Sequence, residues 1–446
     1  MHARSIPPLL LISSVLTLAL MPGGDSYTLL GHDLDFGVRD YRVFNDFEDV
    51  SANDNTTTHA NFPGALGATL AIWKAGAEWG STLHGDGTGD STQSFDGIGS
   101  GGANFDFSYQ GLATGPGPLW GNTHSALHAS NTGLLAYTEF ANGGWRIRYY
   151  DNWTWDDGPN SVGAGVYDLQ SAATHEMGHA LGLGHSSQIF STMFSSMSAG
   201  TTSWRSLTSD DRQGVQAIYG AASPGKPVIS NATFDGLRVH LTGSGFSATG
   251  NEVWFTSKGP SSWGSQPIVT GVSSNGTSIT VVPPVDAGSG DVLVRNTASG
   301  FESLSNAWPL ALACSPISNY CPTTANSSGD GAVLGVNGTQ SVQANDLVLT
   351  ARGVVPNQFS IFFYGQNQTS ALVAGGTLCV GGPFYRLGIA QASAAGDVIY
   401  ALDLNAPPDP AGQIQTGQTW NFQLWYRDPA GAGSDFSDAL SIPFCP

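Results

Sequence analysis

The 446-residue sequence predicts a multidomain chain: an α+β domain with three helices, followed by two all-β, sandwich-like domains. Three observations predict this. A single hydrophobic core stops growing at roughly 250–300 residues, so a chain of this length divides. The composition is rich in glycine (59) and proline (24) and poor in charge (11%), which suits loop-rich β units better than long helices. Helical spacing of apolar residues is confined to the first half, and short alternating segments fill the second.

The elements follow in chain order. His2 and Arg4 precede an apolar run over residues 9–21, then Pro22, Gly23 and Gly24. So short a run followed by small residues reads as an export signal over residues 1–24, with an uncleaved anchor as the other reading. No later run is long and apolar enough to cross a bilayer, so a secreted protein without a membrane span is expected. Residues 42–47 read as a first strand. In residues 65–79 the spacing of Leu66, Leu70, Trp73 and Ala77 predicts an amphipathic helix. A Gly/Asp/Ser/Thr-rich loop covers 80–102. Strands are expected at 104–108, 134–140 and 145–150, and a second helix at 168–183. A third helix is expected at 208–219, with Thr208 or Ser209 as N-cap and Asp210 and Asp211 in its first turn. Residues 25–221 therefore read as one domain.

Ser223 to Pro227, in the order Ser-Pro-Gly-Lys-Pro, reads as a linker. Residues 224–312 hold short alternating segments at 237–242, 252–256, 278–282 and 290–296, as in a small antiparallel sandwich. Residues 313–446 form a second β unit, with strand signals at 347–351, 359–364 and 419–426. All four cysteines lie there: Cys314, Cys321, Cys379 and Cys445. In an exported chain they predict two disulfides, in any of three connectivities. No Cys-x-x-Cys pair favours a zinc site among them. The formal net charge of −19 argues against nucleic acid or an anionic membrane as a partner.

The chemistry is concentrated in residues 175–185, HEMGHALGLGH. His175 and His179 are four apart on an expected helix, so both imidazoles project from one face and can share a zinc ion. Glu176 adjoins the first ligand and is placed to act on a water there. Gly182 lets the helix stop and the chain turn, bringing His185 round as a third ligand. Three protein ligands leave one position open, the pattern of a catalytic zinc site. A patch of surface histidines is the bland alternative, and it would need three of them placed without purpose.

The extended motif HExxHxxGxxH resembles the metzincin signature. Met193, eight residues after His185, resembles the methionine turn of that group. Within the metzincins the sequence is most similar to matrixins, the matrix-metalloprotease family. Ser186 follows the third histidine, LTSDDRQGVQAIYG (207–220) resembles the family's closing helix, and LLAYTEFANGGWRIRYYD (134–151) resembles its cleft strands. The resemblance spans roughly residues 40–220. It implies a twisted mixed sheet with three helices, one catalytic zinc, and Glu176 as general base in hydrolysis of a protein or peptide substrate. It also implies that a strand near 134–140 holds the substrate in extended form, and that the loop over 188–205 shapes the specificity pocket.

Two family features are not matched. Histidines that hold a structural zinc in matrixins are replaced by Tyr137 and by Tyr149 or Tyr150, and no cysteine precedes Cys314 to serve as a latency switch. Asp86, Asp90 and Asp96 offer carboxylates of the kind that hold calcium, but a solvated acidic loop is the preferred reading. His84, His124 and His128 sit in polar stretches and read as surface residues. In the second half, VHLTGSGFS and SITVVPPVDAGSGDVLVRNTASG resemble immunoglobulin-like domains of the TIG type. The two β domains are expected to be accessory, attaching the enzyme to a substrate or cell surface. A non-proteolytic surface-binding protein with a vestigial metal domain is the competing reading, and a zinc hydrolase of a non-peptide bond is a third.

Overall fold

A computed structural model describes residues 26–445 except 89–92, 94–97, 132, 142, 263, 315 and 374. The expected export signal, Asp90 and Asp96 lie outside the described residues. The described residues contain three α-helices and many strands in several sheets. Their apolar side chains gather into main cores drawn from residues 34–219, 229–310 and 332–444.

The first core is built on a five-stranded mixed sheet of order β2-β1-β3-β5-β4. Here β1 is Asp40–Phe44, β2 Ser108–Leu112, β3 Thr123–Leu127, β4 Ala136–Ala141 and β5 Gly144–Tyr150. Strands β2, β1, β3 and β5 run parallel, while β4 is antiparallel to β5 and lies at the edge of the sheet. The expected strand at 104–108 starts later. Ala103 instead bridges Ala221, and Asn104 N–H donates to the Gly220 carbonyl.

Strand β3, Thr-His-Ser-Ala-Leu, was not foreseen and is central. Its polar residues carry no alternating signal, yet four of the five are buried. His124 is fully buried rather than a surface residue, with Nδ1 2.9 Å from the Tyr149 hydroxyl. Burial pushes its pKa down to about 3, so it is a neutral core side chain. His84 is buried too, whereas His128 is exposed as expected.

Helix α1, Gly67–Glu78, corrects the amphipathic expectation, because eleven of its twelve residues are buried. It is wedged between β1 and the next helix. A Cβ on Gly76 would lie 2.7 Å from the Tyr41 hydroxyl and 2.8 Å from Met177 Cε. Helix α2, Leu169–Ala180, starts at Asp168, whose carboxylate accepts the Ser171 N–H at 2.8 Å. That carboxylate also accepts from Arg205 Nε at 2.9 Å, and both side chains are fully buried. Arg205→Met would leave Asp168 charged and buried without its cation. The expected cost is about 3–5 kcal/mol, read as a lower urea midpoint of the full chain. Helix α3, Ser209–Tyr219, follows the reading closely: Thr208 and Asp211 form a reciprocal capping box.

The second unit is a two-sheet antiparallel sandwich. One sheet has the order β6-β7-β10 (Val228–Phe234, Val239–Ser244, Ser278–Val281). The other has the order β9-β8-β11-β12 (Ile268–Val272, Asn251–Ser257, Ala287–Arg295, Trp308–Leu310). Lys226 of the expected linker is not solvated: it is 3% exposed, with its ammonium 3.0 Å from Asp106 Oδ2. The third unit sets a five-stranded sheet against a three-stranded one. Disulfides Cys314–Cys445 and Cys321–Cys379 select one of the three connectivities.

Candidate metal centre

The predicted ligands converge. One ring nitrogen from each of His175, His179 and His185 lies within 4.8 Å of the other two. His175 and His179 share a face of α2 through their four-residue spacing. The helix ends with Leu181 as C-cap, and Gly182 then adopts φ +106°. A Cβ there would lie 2.3 Å from the His32 carbonyl oxygen, so only glycine lets the chain turn this tightly. The turn carries His185 back to the other two rings, with centroids 5.3 and 4.9 Å away.

Each helical imidazole is oriented by a backbone carbonyl. His175 Nδ1 is 2.6 Å from the Thr192 oxygen, and His179 Nδ1 is 2.8 Å from the Leu183 oxygen. A carbonyl only accepts, so Nδ1 carries the proton and Nε2 is left with its lone pair. Burial lowers the pKa of all three imidazoles, to about 4 for His179. The set thus consists of neutral nitrogen donors graded from buried His175 to exposed His185, which fits zinc. Trp204 stacks on the His175 ring at 5.0 Å and 15°.

The turn after His185 is fixed by Asp211, which is fully buried and was read only as a helix-start residue. Its carboxylate accepts the N–H groups of Thr192 and Met193, both at 3.0 Å, and the Ser191 hydroxyl at 2.8 Å. Met193 is 1% exposed and lies beneath α2, where a Cβ on Gly178 would meet its sulfur at 2.3 Å. The same turn thereby presents the Thr192 carbonyl to His175. Asp211→Ala should release this turn while leaving all three imidazoles in place. A loss of zinc affinity of roughly 10–100-fold is expected, the usual cost of an outer partner, measured by competition with a chromogenic chelator.

Glu176 is buried, and its Oε2 accepts the Thr138 hydroxyl of β4 at 2.7 Å. Burial pushes its pKa up to about 7, against a downward pull from that hydroxyl. Thr138 carried no signal in the sequence, because its role exists only once β4 lies against α2. Where histidines were expected to be missing for a structural zinc, aromatic packing stands instead. The Tyr137 and Tyr150 rings are 5.7 Å apart and Tyr149 is fully buried. The described residues hold one other group of three potential ligands: Glu48, His128 and Asp151. It lies on the surface, and His128 is paired there with Asp151 and lies 3.6 Å from Asp46 Oδ2. Asp86 is exposed and accepts from Thr88 N–H at 3.0 Å.

With this geometry in hand, known proteins place the segment. The matrixin family model matches residues 45–220. Metalloendoproteinase 1-MMP of Arabidopsis thaliana is 42% identical over 90 residues, 20% of this chain and 24% of that protein. Matrilysin of Homo sapiens is 35% identical over 103 residues, 23% of this chain and 34% of that protein. Neutrophil collagenase of Homo sapiens is 40% identical over 80 residues, 16% and 17% of the two chains. The chain therefore spans between 17% and 34% of these relatives' own length. A solved tetra-tandem repeat from the extending region of a large adhesion protein aligns at a TM-score of 0.16 and 10% identity, over 49% of this chain and 48% of that one. That likeness is too low to bear on the fold. Residues 45–220 are thus similar to the matrixins, and their three converging histidines are the kind of set that zinc takes.

Proposed function

We propose that this chain is an exported zinc endopeptidase in which His175, His179 and His185 hold the metal and Glu176 is the general base. The observation that carries this reading is the convergence of three imidazoles, those of His175 and His179 with Nε2 left free by a carbonyl at Nδ1, beside a buried carboxylate that meets an edge strand. Zinc, when bound, supplies Lewis acidity towards water and the scissile carbonyl. Glu176 takes the proton of the attacking water on a carboxylate oxygen and delivers it to the leaving amine nitrogen. Thr138 holds Oε2 so that the carboxylate keeps one orientation through both transfers. Strand β4, paired with β5 on one side only, offers its free backbone groups to an extended peptide.

In this reading residues 1–24 are the export signal, 25–221 the protease domain, and 224–312 and 313–446 two β domains. The vestigial-domain reading is disfavoured because no ligand and no proton acceptor of the set is missing. Casein and a mixed peptide library should be cleaved by the full chain, stopped by a chelator and restored by added zinc. Turnover of a simple ester with every peptide left intact would favour the non-peptide hydrolase instead.

A further inference from the structure

The second unit was expected to be an accessory domain on a linker, but its contact with the protease domain is built like an interior. Asp291 on β11 is 3% exposed, and both its carboxylate oxygens are taken by the first unit. Oδ2 accepts Trp73 Nε1 of α1 at 2.9 Å, and Oδ1 lies 2.8 Å from His84 Nε2. Thr256 on β8 donates to the Tyr109 carbonyl on β2 at 2.8 Å while accepting the Asp291 N–H at 2.8 Å. Lys226 reaches Asp106 of the first unit and the Leu304 carbonyl of the second at once. The backbone joins as well: Ser261 N–H donates to the Leu112 carbonyl at the end of β2, the edge strand.

Separable domains meet through wet, polar rims, whereas here Asp291, His84 and Lys226 are each 3% exposed and each meets a polar group of the other unit. A buried carboxylate is tolerated only with its partners in place, so Asp291 sets the register of the contact. Apolar contact crosses the same interface: Phe36 packs edge-on against Trp254 with ring centroids 6.4 Å apart, and Tyr219 against Phe301 at 5.0 Å. The contact also leads towards the metal centre, because Trp79, the C-cap of α1, donates its Nε1–H to the Thr174 carbonyl at 2.9 Å, next to His175.

We propose that residues 228–310 are a fixed part of the metalloprotease body, registered by Asp291, and that this unit and residues 34–219 unfold as one. The inference holds whatever bond the site cleaves. Hydrogen exchange of the full chain in rising urea tests it. Backbone amides of Gly67–Glu78 and Ala287–Arg295 should lose protection at one shared midpoint. Asp291→Ala should lower that midpoint for both segments by about 0.5 M or more, and should leave Thr419–Asp428 of the third unit where it was. Asp291→Asn, which keeps an acceptor for Trp73, should lower it less. Opening of Ala287–Arg295 in the parent chain while Gly67–Glu78 stays protected would overturn the proposal. So would an Asp291→Ala shift confined to the second unit. If Asp291→Ala does not fold, the shared or split midpoint of the parent chain decides alone.

Discussion

Glu176→Gln is expected to lower kcat/KM for a peptide substrate by about 10²–10⁴-fold and to leave zinc content unchanged. Glutamine fills the same buried space, and its carbonyl oxygen can still accept the Thr138 hydroxyl that now holds Oε2. What it loses is the ability to take a proton from water and return it to the leaving amine. The three imidazoles are oriented by Thr192, Leu183 and the Gly182 turn, none of which involves the Glu176 carboxylate. Steady-state kinetics and elemental analysis on one preparation check both halves. A variant that kept zinc and most of its rate would remove Glu176 from the mechanism.

His179→Ala should lose both metal and activity. It takes away one of three nitrogens at the centre and leaves the Leu183 carbonyl without its N–H donor. The effect should exceed the roughly 10–100-fold that loss of an outer partner costs, and should therefore exceed that of Asp211→Ala. After dialysis the expected zinc content falls from one per chain to near zero, with hydrolysis below detection. Stoichiometric zinc in His179→Ala would mean that the ion sits elsewhere.

What could be read from the sequence was local. The four-residue spacing of His175 and His179 needs only a helix, and the return of His185 needs only a glycine at 182. The capping of α3 by Thr208 and Asp211 is likewise written within four residues. What escaped depends on partners distant in sequence. Strand β3 has no apolar alternation, because its neighbours in the sheet and the ring of Tyr149 bury its polar side chains. Helix α1 has an apolar stripe in sequence but is covered all round, since the sheet, α2 and the second unit each take a face. Thr138, Trp204 and Asp291 are unremarkable as letters and gain meaning only from the groups they meet.

The most direct test is zinc-edge anomalous diffraction from crystals of the full chain, with casein hydrolysis measured on the same preparation. The account predicts an active enzyme with a single peak about 2.0–2.1 Å from one nitrogen each of His175, His179 and His185. An active preparation with zinc bound away from these histidines, or with no zinc at all, would contradict it.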